Sequence, residues 1–268
     1  MPKQKERQVE LRRVYSKLFC AIVALSILAV NVCVVMAGNT AYSITEYWGQ
    51  QTVTVDGRWT TADEWHDTSV QYFGTPQKGL FEFKMQSPDF VAFNMQYLVE
   101  FADNTNDAGD RWQICIDGTN NGGSAPDTND YKFEIEGHTT LKTYVGTGSG
   151  WSQTTNVQAT WANSLTTSPH DSATHWVLEF VFNKAQYDWG ANPPPQGIRI
   201  AMYDASNPAQ GWVAWPPGST DTNPNSWGVI ATYSMDAYPE GLTVGLMLFV
   251  SAVAAVVGIR YFRKPPKI

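Results

Sequence analysis

The side chains best suited to chemistry are carboxylates and amides gathered around one short apolar stretch. Asp103, Asp107 and Asp110 precede the segment Arg111–Asp117, and Asp117, Asn121, Asp127 and Asp130 end or follow it. Calcium takes six to eight oxygens from carboxylates, amides and backbone carbonyls, and these seven residues are candidate ligands. As a strand, Arg111–Asp117 spans roughly 20 Å, so its two ends need separate sites. An EF-hand is excluded, because Thr128 stands at the twelfth position from Asp117, where a Glu is required. The competing reading is that Asp, Asn and Gly are here as turn formers.

Aromatic residues are the second resource. All eleven Trp lie between residues 38 and 241. Sugar rings stack their C–H faces on flat indoles while polar groups take the hydroxyls. Trp151, Trp189, Trp212 and Trp215 fall at expected strand ends or loops and are the candidate ligand-binding residues. Trp215 precedes the Pro216-Pro-Gly218 turn, and proline cannot continue a central strand, which places Trp215 at a rim. Trp59, Trp65, Trp112 and Trp176 read as core. Catalysis finds little support. The four His make no HExxH pattern, and no Gly-x-Ser-x-Gly elbow is present. The expectation is a protein that is not an enzyme.

Period-two alternation must position these groups. It marks strands at Leu80–Met85, Phe90–Phe101, Arg111–Asp117, Tyr131–Glu136, Thr140–Val145, Val157–Ala162, Trp176–Phe182, Ile198–Tyr203, Trp212–Trp215 and Val229–Tyr233. Asn183–Tyr187 alone reads as helical, for about a turn. Many short strands with Gly, Asn, Asp and Pro turns predict an all-β fold, an antiparallel two-sheet β-sandwich of jelly-roll type.

Two apolar runs bracket this region. Leu18–Ala37 follows Arg12, Arg13 and Lys17 and ends in Val35-Met-Ala37, as a signal peptide or signal-anchor helix does. Leu242–Ile259 is near the minimum length of a transmembrane helix, with Arg260, Arg263, Lys264 and Lys267 behind it. Basic flanks stay cytoplasmic. The expected order is therefore a signal or anchor (1–37), a spacer (38–51), a sandwich (52–235) and a membrane tail (236–268). The expected location is the cell membrane, with the domain extracellular.

The whole chain is −7. The tails before Leu18 and after Ile259 are each +4, which leaves −15 between them. That argues against nucleic acid and anionic lipid headgroups, and suits divalent cations or neutral ligands. Cys115 is the one thiol between the runs, so no disulfide forms there. Its strand pattern reads as a buried small apolar residue.

Three motifs carry a family resemblance. Thr54-Val-Asp-Gly-Arg-Trp-Thr-Thr-Ala-Asp-Glu-Trp65 resembles the opening of carbohydrate-binding module family 9 and its DOMON-like relatives. The strand ending in Asp117, its Asp/Asn/Gly loop and the strand opening at Asp130-Tyr131 are similar to that group, as is Trp215-Pro-Pro…Pro224-Asn-Ser-Trp-Gly228. The resemblance implies a non-enzymatic module that binds a polysaccharide or glycan and carries structural calcium. The DOMON-like side implies a rival, a haem-binding electron-transfer module with Met95 or Met202 and a Lys or His as axial ligands. A ligand-free structural envelope protein is the third class. The tail Pro239-Glu-Gly241, apolar run and basic end resembles the sorting tails of archaeosortase and exosortase substrates, which implies an archaeal-type surface protein and a sorting protease as partner.

Overall fold

A computed structural model describes residues 38–86, 94–183 and 196–232. Both apolar runs, the sorting-type tail and Trp189 lie outside the described residues. Among the described residues no helix is long and apolar enough to cross a membrane.

Thirteen strands are described: β1 (Ser43–Glu46), β2 (Ser69–Phe73), β3 (Gly79–Gln86), β4 (Asn94–Phe101), β5 (Arg111–Asp117), β6 (Asp130–Glu136), β7 (Thr140–Gly146), β8 (Trp151–Thr154), β9 (Thr160–Thr166), β10 (His175–Asn183), β11 (Gln196–Tyr203), β12 (Trp212–Trp215) and β13 (Gly228–Thr232). They form two sheets. The larger runs β1-β13-β11-β5-β6-β7-β8, with β12 also paired to β11, and the smaller runs β2-β3-β4-β10-β9. Pairing is antiparallel except between β1 and β13. The expected β-sandwich is what forms.

Alternation explains the core. In β6, Tyr131, Phe133 and Ile135 turn inward, and Lys132, Glu134 and Glu136 turn out. The same rule sends Trp112, Ile114 and Ile116 of β5 and Ile198, Ile200 and Met202 of β11 inside. Met95, Tyr97, Val99 and Phe101 of β4 meet them from the smaller sheet, as do Trp176, Leu178, Phe180 and Phe182 of β10. The expected haem ligands Met95 and Met202 are fully buried fillers of this core.

Several expectations change. Residues 38–51, read as a spacer, contribute β1, because Ile44 is buried in the core and Ser43–Glu46 pair with Val229–Thr232. β2 and β8 were not expected; both are short edge strands with weak alternation. The strand expected at Val157–Ala162 runs over Thr160–Thr166 instead. Asn183 closes β10, and the rest of the expected helical turn lies outside the described residues. The described part of the Phe90–Phe101 strand begins at Asn94.

The opening motif acts as a strap. Residues 53–65 cross the outer face of the smaller sheet, where Trp65 packs with Leu98 and Val177, and Val53 and Trp59 close the edge. Asp56 and Gly57 donate their backbone N–H groups to Glu179 Oε2 at 2.8 and 2.9 Å, and the Trp65 indole donates to Oε1 at 3.1 Å. Gly57 has φ +77°, and a Cβ there would meet the Asn163 backbone at 2.5 Å, so this position requires glycine.

Candidate functional site

The outer face of the larger sheet carries a polar floor. Strand register aligns Arg199 (β11), Cys115 (β5), Lys132 (β6), Tyr144 (β7) and Gln153 (β8) in one row. The next row holds Ala201, Gln113, Glu134 and Lys142. Arg199 donates from Nη1 to Gln113 Oε1 at 2.7 Å and from Nε to the Ser219 carbonyl at 3.2 Å. Gln113 donates onward to Glu134 Oε2. Lys132 donates to Asp221 Oδ2 at 2.9 Å. Cys115 lies in this floor, and burial pushes its thiol up to about 12, so it is no nucleophile near neutral pH.

The loop 216–227 folds over one side of the floor. Trp151 Nε1 donates to the Asp221 carbonyl at 3.0 Å, and Trp227 Nε1 donates to the Thr220 carbonyl at 2.8 Å. Trp151 lies parallel to Trp227, with centroids 6.3 Å apart, and Lys132 Nζ sits 5.2 Å from the Trp151 ring and 4.6 Å from Tyr144. On the other side stands Trp212, 39% exposed, with the Arg199 guanidinium 5.9 Å from its ring. Half-buried Trp151 and exposed Trp212 thus flank the same polar face.

Trp215 is not at a rim. It is 3% exposed and packs in the core, edge-on to Phe81 at 5.1 Å and to Tyr42 at 6.3 Å. The reason is the strand period: Trp212 and Trp215 are three residues apart on β12 and therefore face opposite ways. The proline turn ends the strand without turning the indole outward.

The acidic candidates form two clusters at opposite ends of β5. At the far end, Asp117 and Asp130 face each other in cross-strand register and are both fully buried. Asp117 accepts from the backbone N–H groups of Thr119, Asn121 and Gly122. Burial, with the Asp117 carboxylate beside it, pushes Asp130 up to about 8. Asp130 Oδ1 and Asn120 Oδ1 are buried with no hydrogen-bond partner. A Cβ on Gly197 would lie 2.9 Å from Asp117 Cβ, so β11 passes this cluster closely at a position that favours glycine. Asp127 and Asn121 bond to each other at 2.7 Å in the loop outside it.

At the near end, Asp103 and Asp110 come together with His138, which the sequence reading passed over. Asp107 is half-exposed and contributes backbone groups, its N–H donating to Asp110 Oδ2 at 2.9 Å and its carbonyl accepting from the Asp110 N–H at 3.0 Å. Trp112 Nε1–H points at His138 Nδ1 at 3.3 Å, which makes Nδ1 the acceptor and leaves the proton on Nε2, facing Asp110 Oδ2 at 3.0 Å. His138 also stacks on Trp176 at 3.6 Å. In this tautomer the ring presents no free lone pair, so the trio works as a hydrogen-bonded clasp. Burial raises Asp103, and the Asp204 and Asp110 carboxylates add to the rise against its bonds from Thr105.

Sequence reasoning also missed the polar floor. Alternation places Lys132 and Glu134 on one face, but nothing local to those residues says that Arg199 stands two strands away in the row of Lys132.

The fold is similar to that of a carbohydrate binding module family 9 from Caldicellulosiruptor kristjanssonii solved in complex with glucose. The TM-score is 0.51 at 14% identity, covering 74% of this chain and 100% of that one. A second such module from the same organism, in complex with cellotriose, gives a TM-score of 0.47 at 15% identity, over 73% and 96% of the two chains. No protein-family model and no curated protein matches the chain. The first likeness defines the class of fold: a two-sheet β-sandwich shared with a family-9 module.

A cleft beside β3 and β4 supplies a pH test. It is lined by Lys78, Glu100, His170, Asp171 and His175, with Glu82 behind His170. His175 donates from Nδ1 to the Ala173 carbonyl at 2.8 Å and faces Glu100 Oε2 through Nε2 at 3.1 Å. Burial alone would lower its pKa, but the bonds to Glu100 and Ala173 outweigh it and hold it above the usual 6.5. A raised histidine stabilises the fold fully below its unfolded value, and this contribution is lost as pH rises through the folded value. His175→Gln should therefore flatten the decline of stability with pH above about 6.5, read from urea unfolding midpoints. Equal slopes for both proteins would remove the imidazolium–carboxylate pair.

Proposed function

We propose that the domain is a non-enzymatic carbohydrate-binding module whose ligand lies on the outer face of the larger sheet. The observation that carries this reading is the exposed Trp212 indole standing beside the buried hydrogen-bonded chain Arg199–Gln113–Glu134. An exposed indole offers a platform for a pyranose face, and prearranged polar groups meet hydroxyls at little ordering cost. The fold likeness to a family-9 module in complex with glucose supports the reading. Trp212→Ala should weaken glycan binding at least tenfold, about 1.4 kcal/mol, on a glycan array or by calorimetry, with the melting temperature little changed. A folded wild type that binds no glycan at all would end this reading.

Structural calcium belongs to the same proposal, at Asp117, Asp130 and Asn120. Two buried carboxylates side by side repel, and two orphaned oxygens need a partner. A divalent cation would satisfy both. A ligand that binds only the folded state stabilises it by about 2.7 kcal/mol at one hundred times its dissociation constant. Chelator should lower the melting temperature, calcium should restore it, and Asp130→Asn should lose that response. Superimposable melting curves with and without chelator would leave the loop as an ordinary turn.

The flanking runs support a surface location. We read Leu18–Ala37 as an export signal or anchor, Leu242–Ile259 as a membrane helix and Pro239-Glu-Gly241 as a sorting motif that a protease partner would cut. Protease added to intact cells should degrade the domain. Survival of the domain on intact cells, with digestion only after lysis, would place it inside.

A further inference from the structure

We infer that the ligand of this face carries a carboxylate, an acidic sugar of the uronic-acid class, and that Arg199 reads it; the inference rests on the carbohydrate reading of the same face. Between residues 38 and 241 the chain has eight Lys and Arg in a region of net −15. Four of the eight, Arg111, Lys132, Lys142 and Arg199, stand on the outer rows of β5, β6, β7 and β11. An acidic domain that collects half its cations on one sheet face makes that face the place where an anion is tolerated.

The pairing of these cations singles out one. Lys132 reaches Asp221 at 2.9 Å, Lys142 reaches Glu136 at 2.7 Å and Arg111 lies 4.0 Å from Glu134. Arg199 is 2% exposed, and among the described residues it forms no ion pair within 4.0 Å. Among the described residues, the other buried cations, Lys84 and Lys132, each have one. Its polar partners are neutral: the Gln113 amide oxygen, the Ser219 carbonyl and, at 4.0 Å, the Cys115 sulfur. Nη2 makes no hydrogen bond among the described residues, and the guanidinium lies over the Trp212 ring, 5.9 Å from its centroid. The Asp117 carboxylate, one pair along in register, is turned into its own loop by three backbone N–H groups.

A desolvated cation without a counter-charge is costly, and a bound carboxylate would supply the missing charge. Guanidinium is the group whose planar fork matches a carboxylate in two parallel hydrogen bonds. In a uronic acid the carboxylate projects from the ring carbon at one edge of the pyranose. The Trp212 indole, 39% exposed with the guanidinium over its ring at 5.9 Å, flanks Arg199 and would contact the sugar beside the bound carboxylate.

The test uses the full chain in detergent and a panel of galacturonate, glucuronate and mannuronate oligomers. Each is paired with its carboxyl-reduced neutral counterpart, and binding is read by calorimetry. At least one acidic oligomer should bind tenfold or more tightly than its reduced partner, and Arg199→Gln should bring that ratio close to one. Arg199→Lys keeps the charge without the fork and should recover only part of the ratio; it also serves if the glutamine variant does not fold. Reduced oligomers that bind as well as the acidic ones would overturn the inference and leave the carbohydrate reading standing. Absence of binding by both members of every pair, and by neutral glycans, would overturn both.

Discussion

The Glu179 carboxylate on β10 holds a strap across one side of the sandwich, and the location of any ligand face depends on it. Its two oxygens take the N–H groups of Asp56 and Gly57 and the Trp65 indole. These are three donors on one buried acid, the pattern that anchors a loop firmly. Around it, Glu64 caps the strap through the N–H groups of Thr54 and Thr60 at 2.6 and 2.8 Å. Fully buried Lys84 ties it down through the Gln51 and Glu64 carbonyls and Asp67. Ser164 binds the Gly57 carbonyl at 2.6 Å from the neighbouring strand. With the strap in place, Leu98 and Val177, which point outward from the smaller sheet, become a second small core under Trp65.

Closure of that side leaves the larger sheet to face outward with polar rows. The same alternation that fills the core puts Lys132, Glu134, Gln113 and Arg199 outside. The loop 216–227 then desolvates part of that face without filling it with apolar groups. It does so through carbonyls: Ser219 to Arg199, Asp221 to Trp151, Thr220 to Trp227. A floor built this way is rigid and polar, and its side chains are oriented before any ligand arrives, which lowers the ordering cost of binding.

The sandwich was legible because its strands alternate strictly. Tyr131–Glu136 alone shows which residues enter the core and which stay out. β1 was not legible, since Ser-Ile-Thr-Glu offers one clearly apolar residue and its partner lies almost two hundred residues away in β13. At Trp215 the two local signals conflict, and the strand period through it, not the proline turn after it, sets the direction of the indole. Trp212 was placed correctly at a strand end, yet its neighbour Arg199 was overlooked. That proximity comes from the β11–β12 pairing, where Tyr203 faces Trp212, and from no spacing along the chain. Long-range register is the information that period and turn signals lack.

The two ends of β5 show how the same residue types come to different uses. Asp103 and Asp110 sit among groups that satisfy them: Thr105, the Asp107 and Ala205 N–H groups, and a histidine whose tautomer is set by Trp112. Only Asp103 Oδ2 is left over there. Asp117 is as well supplied, but Asp130 has only the Asp127 N–H on Oδ2 and leaves Oδ1 over, and Asn120, held at φ +48°, aims a buried carbonyl oxygen without a partner. Turn-forming Asp and Asn satisfy themselves through nearby N–H groups. A cluster left with two orphaned, fully desolvated oxygens is not explained by turn formation. Composition could not separate these cases, because the difference lies in which oxygens the backbone reaches and which it leaves free.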